Sequence, residues 1–368
     1  MSGASIQAAT DTTDAGRELP AQLVLLSRAI TSEGSHMAGN DDRLRALARR
    51  VSPRAVVRGA FLAFFLYLSA RLWLFYRWAE GLGEHVARPE AVAGLIPVGA
   101  FTSLFAWLKT GAWDQVMPAG IVIILAALLL SVLFKRGFCG WICPVGTVWH
   151  AFSWMGRKLL GRNLRAPRPL DLTLRGLRYL LTALIVFALA SVSVNEALGF
   201  RSIPYYAVAD LKILSLILQP VYLVIGALVG VVTMLFGNVW CRYLCPLGGL
   251  YGACGVASVC TVVRDPQACT ACGKCTKVCH AGIRVDESKS VRSPECDGCQ
   301  DCVVACPSQG ALTTKVGGAK GVAFPWWAWP VGVVVLWLGV YGIALATGHW
   351  HSGLPEAVIA QFARMIIG

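Results

Sequence analysis

Five predominantly apolar stretches of about twenty residues recur along the chain, at 59–78, 117–135, 177–195, 217–237 and 325–346. Each is long enough to cross a bilayer as a helix. Lipid offers no hydrogen-bond partner to a backbone N–H or C=O, so runs of this length can span it only as helices here. The composition agrees: of 368 residues, 56% are hydrophobic and 14% charged, and the mean hydropathy is +0.60. That balance excludes a soluble globular domain of this size. In a soluble chain the net charge of +13 would suit nucleic acid. Among so many apolar runs it reports topology instead, and no nucleic-acid partner is expected.

Basic residues alternate between the segments that join the runs. Residues 43–58 carry six Arg, 135–178 nine Lys or Arg, and 238–324 nine more. Segments 79–116 and 196–216 carry two each, and the tail from 347 has Arg364 alone. The alternation predicts a multi-pass membrane protein. Its N-terminus and both basic loops would be cytoplasmic and its C-terminus outside. The polar, small-residue segment 1–42 reads as a disordered tail, with "AQLVLLSRAI" at most an amphipathic turn, and shows no secretory signal order. Arg71 stands inside the first run about two turns from its outer end, where a snorkelling side chain is expected rather than a partner for a carboxylate or a quinone head group.

Fourteen cysteines in spaced clusters point to metal ligation, not to a disulfide framework. "CTACGKCTKVC" at 269–279 has the spacing C-x2-C-x2-C-x3-C, and "CDGCQDCVVACP" at 296–307 repeats it. This is the two-cluster bacterial ferredoxin pattern, in which the fourth cysteine of each run ligates the other cluster. Cluster one is thus expected on Cys269, Cys272, Cys275 and Cys306, and cluster two on Cys296, Cys299, Cys302 and Cys279. Two complete four-cysteine runs favour two [4Fe–4S] clusters over zinc. His280 replaces the proline that follows the fourth cysteine at Pro307, which predicts altered hydrogen bonding around an intact cluster. Such clusters need a reducing compartment, and the charge distribution independently places this segment in the cytoplasm.

A second thiol pattern is duplicated. "CGWICPVG" (139–146) and "CRYLCPLG" (241–248) each follow an apolar run and each read C-x3-C-P-x-G. The i, i+4 spacing would put each pair on one helical face, with Pro144 and Pro246 breaking or kinking the helix just beyond it. Two similar hairpins would then bring Cys139, Cys143, Cys241 and Cys245 to one shared redox or metal site. Iron–sulfur, copper(I) and a reversible disulfide all stay open there. Cys254 and Cys260 have no partner pattern and read as packing residues.

These motifs together resemble the membrane-bound polyferredoxins of the NapH type. The stretches "RGFCGWICPVGT", "WCRYLCPLGGL", "CTACGKCTKVC" and "CDGCQDCVVACP" carry the resemblance, and "VARPEAVAGLIP" and "GHWHSGLPEAV" are most similar to its YccM-like branch. It covers roughly residues 55–368. It implies a mainly α membrane protein of about five transmembrane helices, in two similar hairpins plus one, with an inserted α+β ferredoxin-like cytoplasmic domain. The expected domains are the tail 1–42, a membrane domain 43–254, a ferredoxin domain 255–318, and a last span with periplasmic tail 319–368. The resemblance further implies a quinol dehydrogenase-type electron-transfer subunit, not a stand-alone catalyst. It would pass electrons between the quinone pool, or a cytoplasmic donor, and a periplasmic or membrane oxidoreductase partner. The competing expectation is an assembly or regulatory factor, such as a cupric reductase acting through the C-x3-C-P thiols. For a quinone the sequence offers only "LIPVGAFTSLFAWLKTGAWD" (95–114), read as an interfacial helix. Trp107, Trp113, Trp326, Trp327 and Trp329 read as interfacial belts, and His349 and His351 as surface residues of the outer tail.

Overall fold

The computed structural model describes residues 44–48, 52–161, 163–164, 167–318 and 320–367. The expected tail 1–42 lies outside the described residues. Two compact units are present, Met1–Arg50 and Val51–Gly368. In the first, residues 44–48 are helical.

The second unit opens with two halves built alike. The first runs α1 (Pro53–Ala79), α2 (Pro97–Thr110), α3 (Pro118–Phe134), a single π-helical turn (Phe138–Ile142) and α4 (Pro144–Leu160). The second runs α5 (Arg168–Ser191), α6 (Val194–Ser202), α7 (Ala209–Ile217), α8 (Pro220–Phe236), a π-helical turn (Trp240–Leu244) and α9 (Pro246–Val256). Proline stands in the first turn of α1–α5, α8 and α9, where its missing N–H would have no intrahelical partner anyway.

The halves interlock. α4 packs against α1 of its own half and α8 of the other, while α9 packs against α5 and across onto α3. Glycines make these crossings close. A Cβ at Gly156 would strike the carbonyl of Met234, and one at Gly230 would come 3.3 Å from the Phe152 ring. Asn163 Nδ2 donates to Met234 O at 3.0 Å, tying the end of α4 to α8.

All five apolar runs are helical, but their roles differ. Among the described residues three helices are long and apolar enough to cross a membrane: Pro53–Ala79, Pro169–Ser191 and Ala328–Ala346 (α10). α7 and α8 together make a fourth, bent by 69° at their break. α3 has 17 residues, and ten of them, from Pro118 to Ser131, are buried by neighbouring helices. Its apolarity therefore serves protein contacts, and at ~25 Å it is shorter than a hydrocarbon layer of ~30 Å. Length and apolarity thus mark three spans, or four with the bent pair, where the sequence suggests five equivalent ones. α5 and α8 instead expose large apolar side chains, among them Leu184, Phe187, Val224 and Leu228.

The ferredoxin segment carries a three-stranded antiparallel sheet of β1 (Cys260–Arg264), β2 (Leu312–Val316) and β3 (Val322–Phe324), in that order. Cys260 pairs with Val316 and Thr314 with Phe324. β3 leads into α10. Trp329, at the start of α10, is fully buried beneath Gly298, and Trp326 is buried beside it in sequence. Both depart from the expected interfacial belt, because the ferredoxin loops cover this end of the helix. The 95–114 stretch departs likewise: α2 is buried all round from Gly99 to Leu104, by α3, α6 and α5 together. Amphipathic α11 (Glu356–Ile366) lays Ile359, Ala360 and Ala363 on Leu72, Phe75 and Ala79 at the far end of α1. Arg71 reaches back to Ala87 O at 3.3 Å, as a snorkelling side chain does.

Candidate metal centres

The tandem run folds into two similar loops around two cavities. One is lined by Cys269, Cys272, Cys275 and Cys306, the other by Cys296, Cys299, Cys302 and Cys279. Each cavity thus takes three thiols from one run and the fourth from the other. Local backbone geometry makes the loops. Ala271 (φ 52°) and Gly273 (φ 65°) in the first match Gly298 (φ 65°) and Gln300 (φ 62°) in the second. Left-handed residues between right-handed ones turn successive N–H groups inward and make an anion-binding concavity. Ala271 N–H accordingly points to Cys269 sulfur and Gly298 N–H to Cys296 sulfur, while Ala281, Gly282 and Ile283 serve Cys279. Buried Gln300 lines the second cavity, and among the described residues neither of its side-chain polar atoms has a partner. The donor set, spacing and inward N–H groups fit a [4Fe–4S] cluster in each cavity.

The two loops differ in surroundings. Cys272 is exposed. Around the second loop, desolvation, joined by Asp301 and Asp297, pushes the Cys299 thiol well above its ordinary value. His280 Nε2 lies 3.0 Å from Asp297 Oδ2, and its Nδ1 lies 3.4 Å from Arg54 Nη1. The residue that replaces proline thus organises the rim of the second loop, where His280, Cys299 and Asp301 come within 4.8 Å of one another.

The C-x3-C-P motifs do not form plain helical faces. Each pair sits on a π-helical turn, and the second cysteine leaves the helix, with φ −58° and ψ 117° at Cys143 and φ −71° and ψ 109° at Cys245. The reason is the next residue: proline excludes its predecessor from the α region, then starts a new helix at its own first turn. Cys143 and Cys245 become the N-caps of α4 and α9. Their sulfurs accept from Gly146 N and Gly248 N, both at 3.4 Å. All four thiols interact electrostatically with one another across the two halves. Burial first, and the neighbouring thiols second, push Cys143 up to about 12 and Cys241 higher still. Thiols bind a metal as thiolates, so metal binding there would expel protons.

An arginine socket joins the two sets of thiols. Arg54 Nη2 pairs with Asp297 at 2.5 Å, and its Nε donates to Gly140 O at 3.2 Å. Arg58 Nη2 donates to Cys139 O at 3.3 Å, and Arg178 Nη1 to Cys241 O at 3.2 Å, one from the first helix of each half. Arg178 and Arg136 share Glu295, at 2.5 and 3.7 Å. Burial alone would raise Asp297, but Arg54, His280 and Arg58 outweigh it and hold the carboxyl well below the usual range. Trp141 Nε1 donates to Gly298 O at 3.2 Å, and a Cβ at Gly140 would strike Asp297 O. The loop of cluster two therefore rests directly on the first C-x3-C-P turn.

Sequence reasoning misses this socket. In sequence Arg54, Arg58, Arg136 and Arg178 read as topology markers, yet all four are buried. A signal is present in the two acids inside "PECDGC", Glu295 and Asp297, which lie beside ligand positions and call for cationic partners. Cys260 is buried within β1 and its core, as a packing residue should be.

Comparison with known proteins accords with this geometry. A family model described as a 4Fe-4S binding domain matches residues 116–163 and 218–255, one segment per C-x3-C-P turn. Another, a 4Fe-4S dicluster domain, matches 261–321. YccM of Escherichia coli K12, named as a candidate electron transport protein, is 33% identical over 303 residues, 80% of this chain and 85% of its own. The ferredoxin-type protein NapH of Haemophilus influenzae is 30% identical over 203 residues, 52% of this chain and 67% of its own. The methylamine utilization ferredoxin-type protein MauN of Methylorubrum extorquens is 30% identical over 192 residues, 51% of this chain and 62% of its own. No solved structure matches the chain. With a relative that similar over most of both lengths, and iron–sulfur models on the twin turns and the tandem run alike, the chain belongs to the NapH-type family of membrane polyferredoxins.

Proposed function

We propose that the chain is a membrane-anchored electron-transfer subunit that exchanges electrons between the quinone pool, or a cytoplasmic donor, and a partner oxidoreductase. The observation that carries this reading is the pair of cavities, each lined by three thiols of one run and the fourth of the other. Cys269, Cys272, Cys275 and Cys306 would hold cluster one, and Cys296, Cys299, Cys302 and Cys279 cluster two. Cys139, Cys143, Cys241 and Cys245 would jointly hold a third centre, a reading supported by the 4Fe-4S description attached to both segments. Bound there, iron–sulfur clusters supply one-electron transfer. The protein's own part is to position and insulate them. Exposed Cys272 leaves the first loop open to a soluble partner. The Arg54–Asp297 and Trp141–Gly298 contacts hold the second loop against the membrane thiols. The family resemblance supports quinone exchange and an inner-membrane location, and the charge distribution supports a cytoplasmic ferredoxin segment.

The test is anaerobic purification of the full chain in detergent, followed by addition of a quinol analogue. Bleaching of the iron–sulfur visible absorption, with EPR of interacting reduced [4Fe–4S] centres, is expected. Stoichiometric zinc with little iron would sink the carrier reading. Clusters reducible by dithionite but inert to quinol would instead point to a cytoplasmic donor.

A further inference from the structure

Four buried guanidiniums crowd the seam between the twin thiol turns and the loop of cluster two: Arg54, Arg58, Arg136 and Arg178. Two buried carboxylates face them, Glu295 and Asp297. Asp297 takes Arg54 and Glu295 takes Arg178, each at 2.5 Å. Arg136 reaches Glu295 only at 3.7 Å, and half-open Asp301 adds a second contact to Arg54 at 3.4 Å. Among the described residues Arg58 has no ion-pair partner, and its Nε and Nη1 have no hydrogen-bond partner. Nε of Arg136 is equally bare. Lys135, also buried, faces Cys296 and so belongs with cluster two. Arg58 is therefore left without an acid in a desolvated place, and Arg136 has only the long contact to a Glu295 that Arg178 already holds, which is costly unless an anion joins them.

The thiols are the anion-forming groups within reach. Arg58 lies within electrostatic reach of Cys143 and Cys241, and Arg136 of Cys139 and Cys241, so each cation bears on thiols of both halves. The glycine of each C-x3-C-P-x-G motif makes room for them. A Cβ at Gly248 would stand 2.8 Å from Arg136 Nη2, and one at Gly146 would stand 3.7 Å from Arg58 Nη2. The same two glycines donate their N–H groups to Cys245 and Cys143, at helix N-termini that add positive potential.

Resting on the carrier reading above, we propose that Arg58 and Arg136 are the charge partners of the C-x3-C-P centre. The centre would take an iron–sulfur cluster whose four-thiolate complex carries roughly two negative charges, and the two guanidiniums would hold its reduction potential up. Two of the alternatives leave the cations unmatched. A disulfide pair is neutral. A copper(I) ion on two thiolates supplies a single negative charge and leaves two thiols protonated. Zinc on four thiolates matches the charge but is redox-inert, so metal content separates it.

The experiment uses full-length protein purified anaerobically in detergent, with iron, acid-labile sulfide, zinc and copper measured and EPR followed through a redox titration. Wild type should hold iron and sulfide beyond two cubane clusters, and Cys143→Ser/Cys245→Ser should lose only that excess. Arg58→Gln should move the midpoint of the third centre to lower potential and leave the other two in place. Arg58→Lys should restore it, and Arg136→Gln should act in the same direction. Ferredoxin EPR intact with no excess iron, or with zinc or copper at the thiols, overturns the inference but leaves the carrier reading standing. A third centre whose potential ignores both arginine changes also overturns it. Loss of every iron–sulfur signal in wild type defeats the carrier reading itself.

Discussion

Arg54 shows what a single residue contributes at the seam between membrane helices and cluster loops. Its guanidinium meets Asp297 at 2.5 Å with both groups buried. Removing one partner of a buried pair leaves the other charge uncompensated, which costs about 3–5 kcal/mol. Arg54→Gln should therefore lower stability by that order in detergent denaturation, and adding Asp297→Asn should return much of the loss. Independent, additive losses would mean that the pair is not coupled. The pH dependence has a definite sign. Asp297 is depressed, so the pair's contribution is complete above the ordinary carboxylate range and disappears only as pH falls through the depressed value. A second residue-scale outcome concerns the ligand that crosses between runs. Cys306 lies in the later run but lines the cavity of the earlier one. Cys306→Ser should alter the EPR signal of cluster one and spare cluster two; the reverse pattern would refute the crossing.

At the scale of elements, the twin halves are held by helices that approach through glycine. On α4, a Cβ at Gly156 would strike backbone of α8, which cannot swing aside as a side chain can. Gly156→Ala should cost about 1–3 kcal/mol through forced separation of the helices. Gly226, on α8 itself, has nothing within 4 Å. Gly226→Ala should be neutral, or stabilising by up to ~1 kcal/mol through helix propensity. Thermal denaturation of the two variants side by side checks both, and equal effects would rule out the packing argument. The π-helical turns are also element-level features. Proline at 144 and 246 forces the second cysteine out of the helix and makes it a cap, so the motif builds a ligand and a helix start with the same residues.

For the whole molecule, the open quantity is orientation. Arg54, near the start of α1, pairs with Asp297 of the ferredoxin segment, and the C-terminal α11 packs at the other end of α1. Positive-inside bias predicts a cytoplasmic score for a reporter inserted near Lys289 and a periplasmic one for a fusion after the last residue. Both reporters on one side would eliminate the proposed topology. The same basic residues have a second use. Arg54, Arg58, Arg136 and Arg178 belong to the charge excess, yet they are buried as the socket of the cluster-two loop. Charge that orients the chain during insertion would thus also seat its redox head.

What the sequence determined by itself was local: helices at every apolar run, two sets of correctly spaced thiols, and a duplicated thiol–proline motif. Hydropathy, ligand spacing and proline chemistry act over a few residues, so they can be read in order along the chain. Only the tertiary structure decided that α3 is wrapped by protein while α5 and α8 present apolar faces outward, because burial depends on what packs against a helix and not on its own composition. The duplication in the sequence suggests that Cys139 and Cys143 meet Cys241 and Cys245, and the tertiary structure has all four within electrostatic reach. Only the tertiary structure paired Arg54 with Asp297, 243 residues away. The cost of a buried charge is offset by whichever opposite charge the fold brings to it, and no spacing within one segment records that partner.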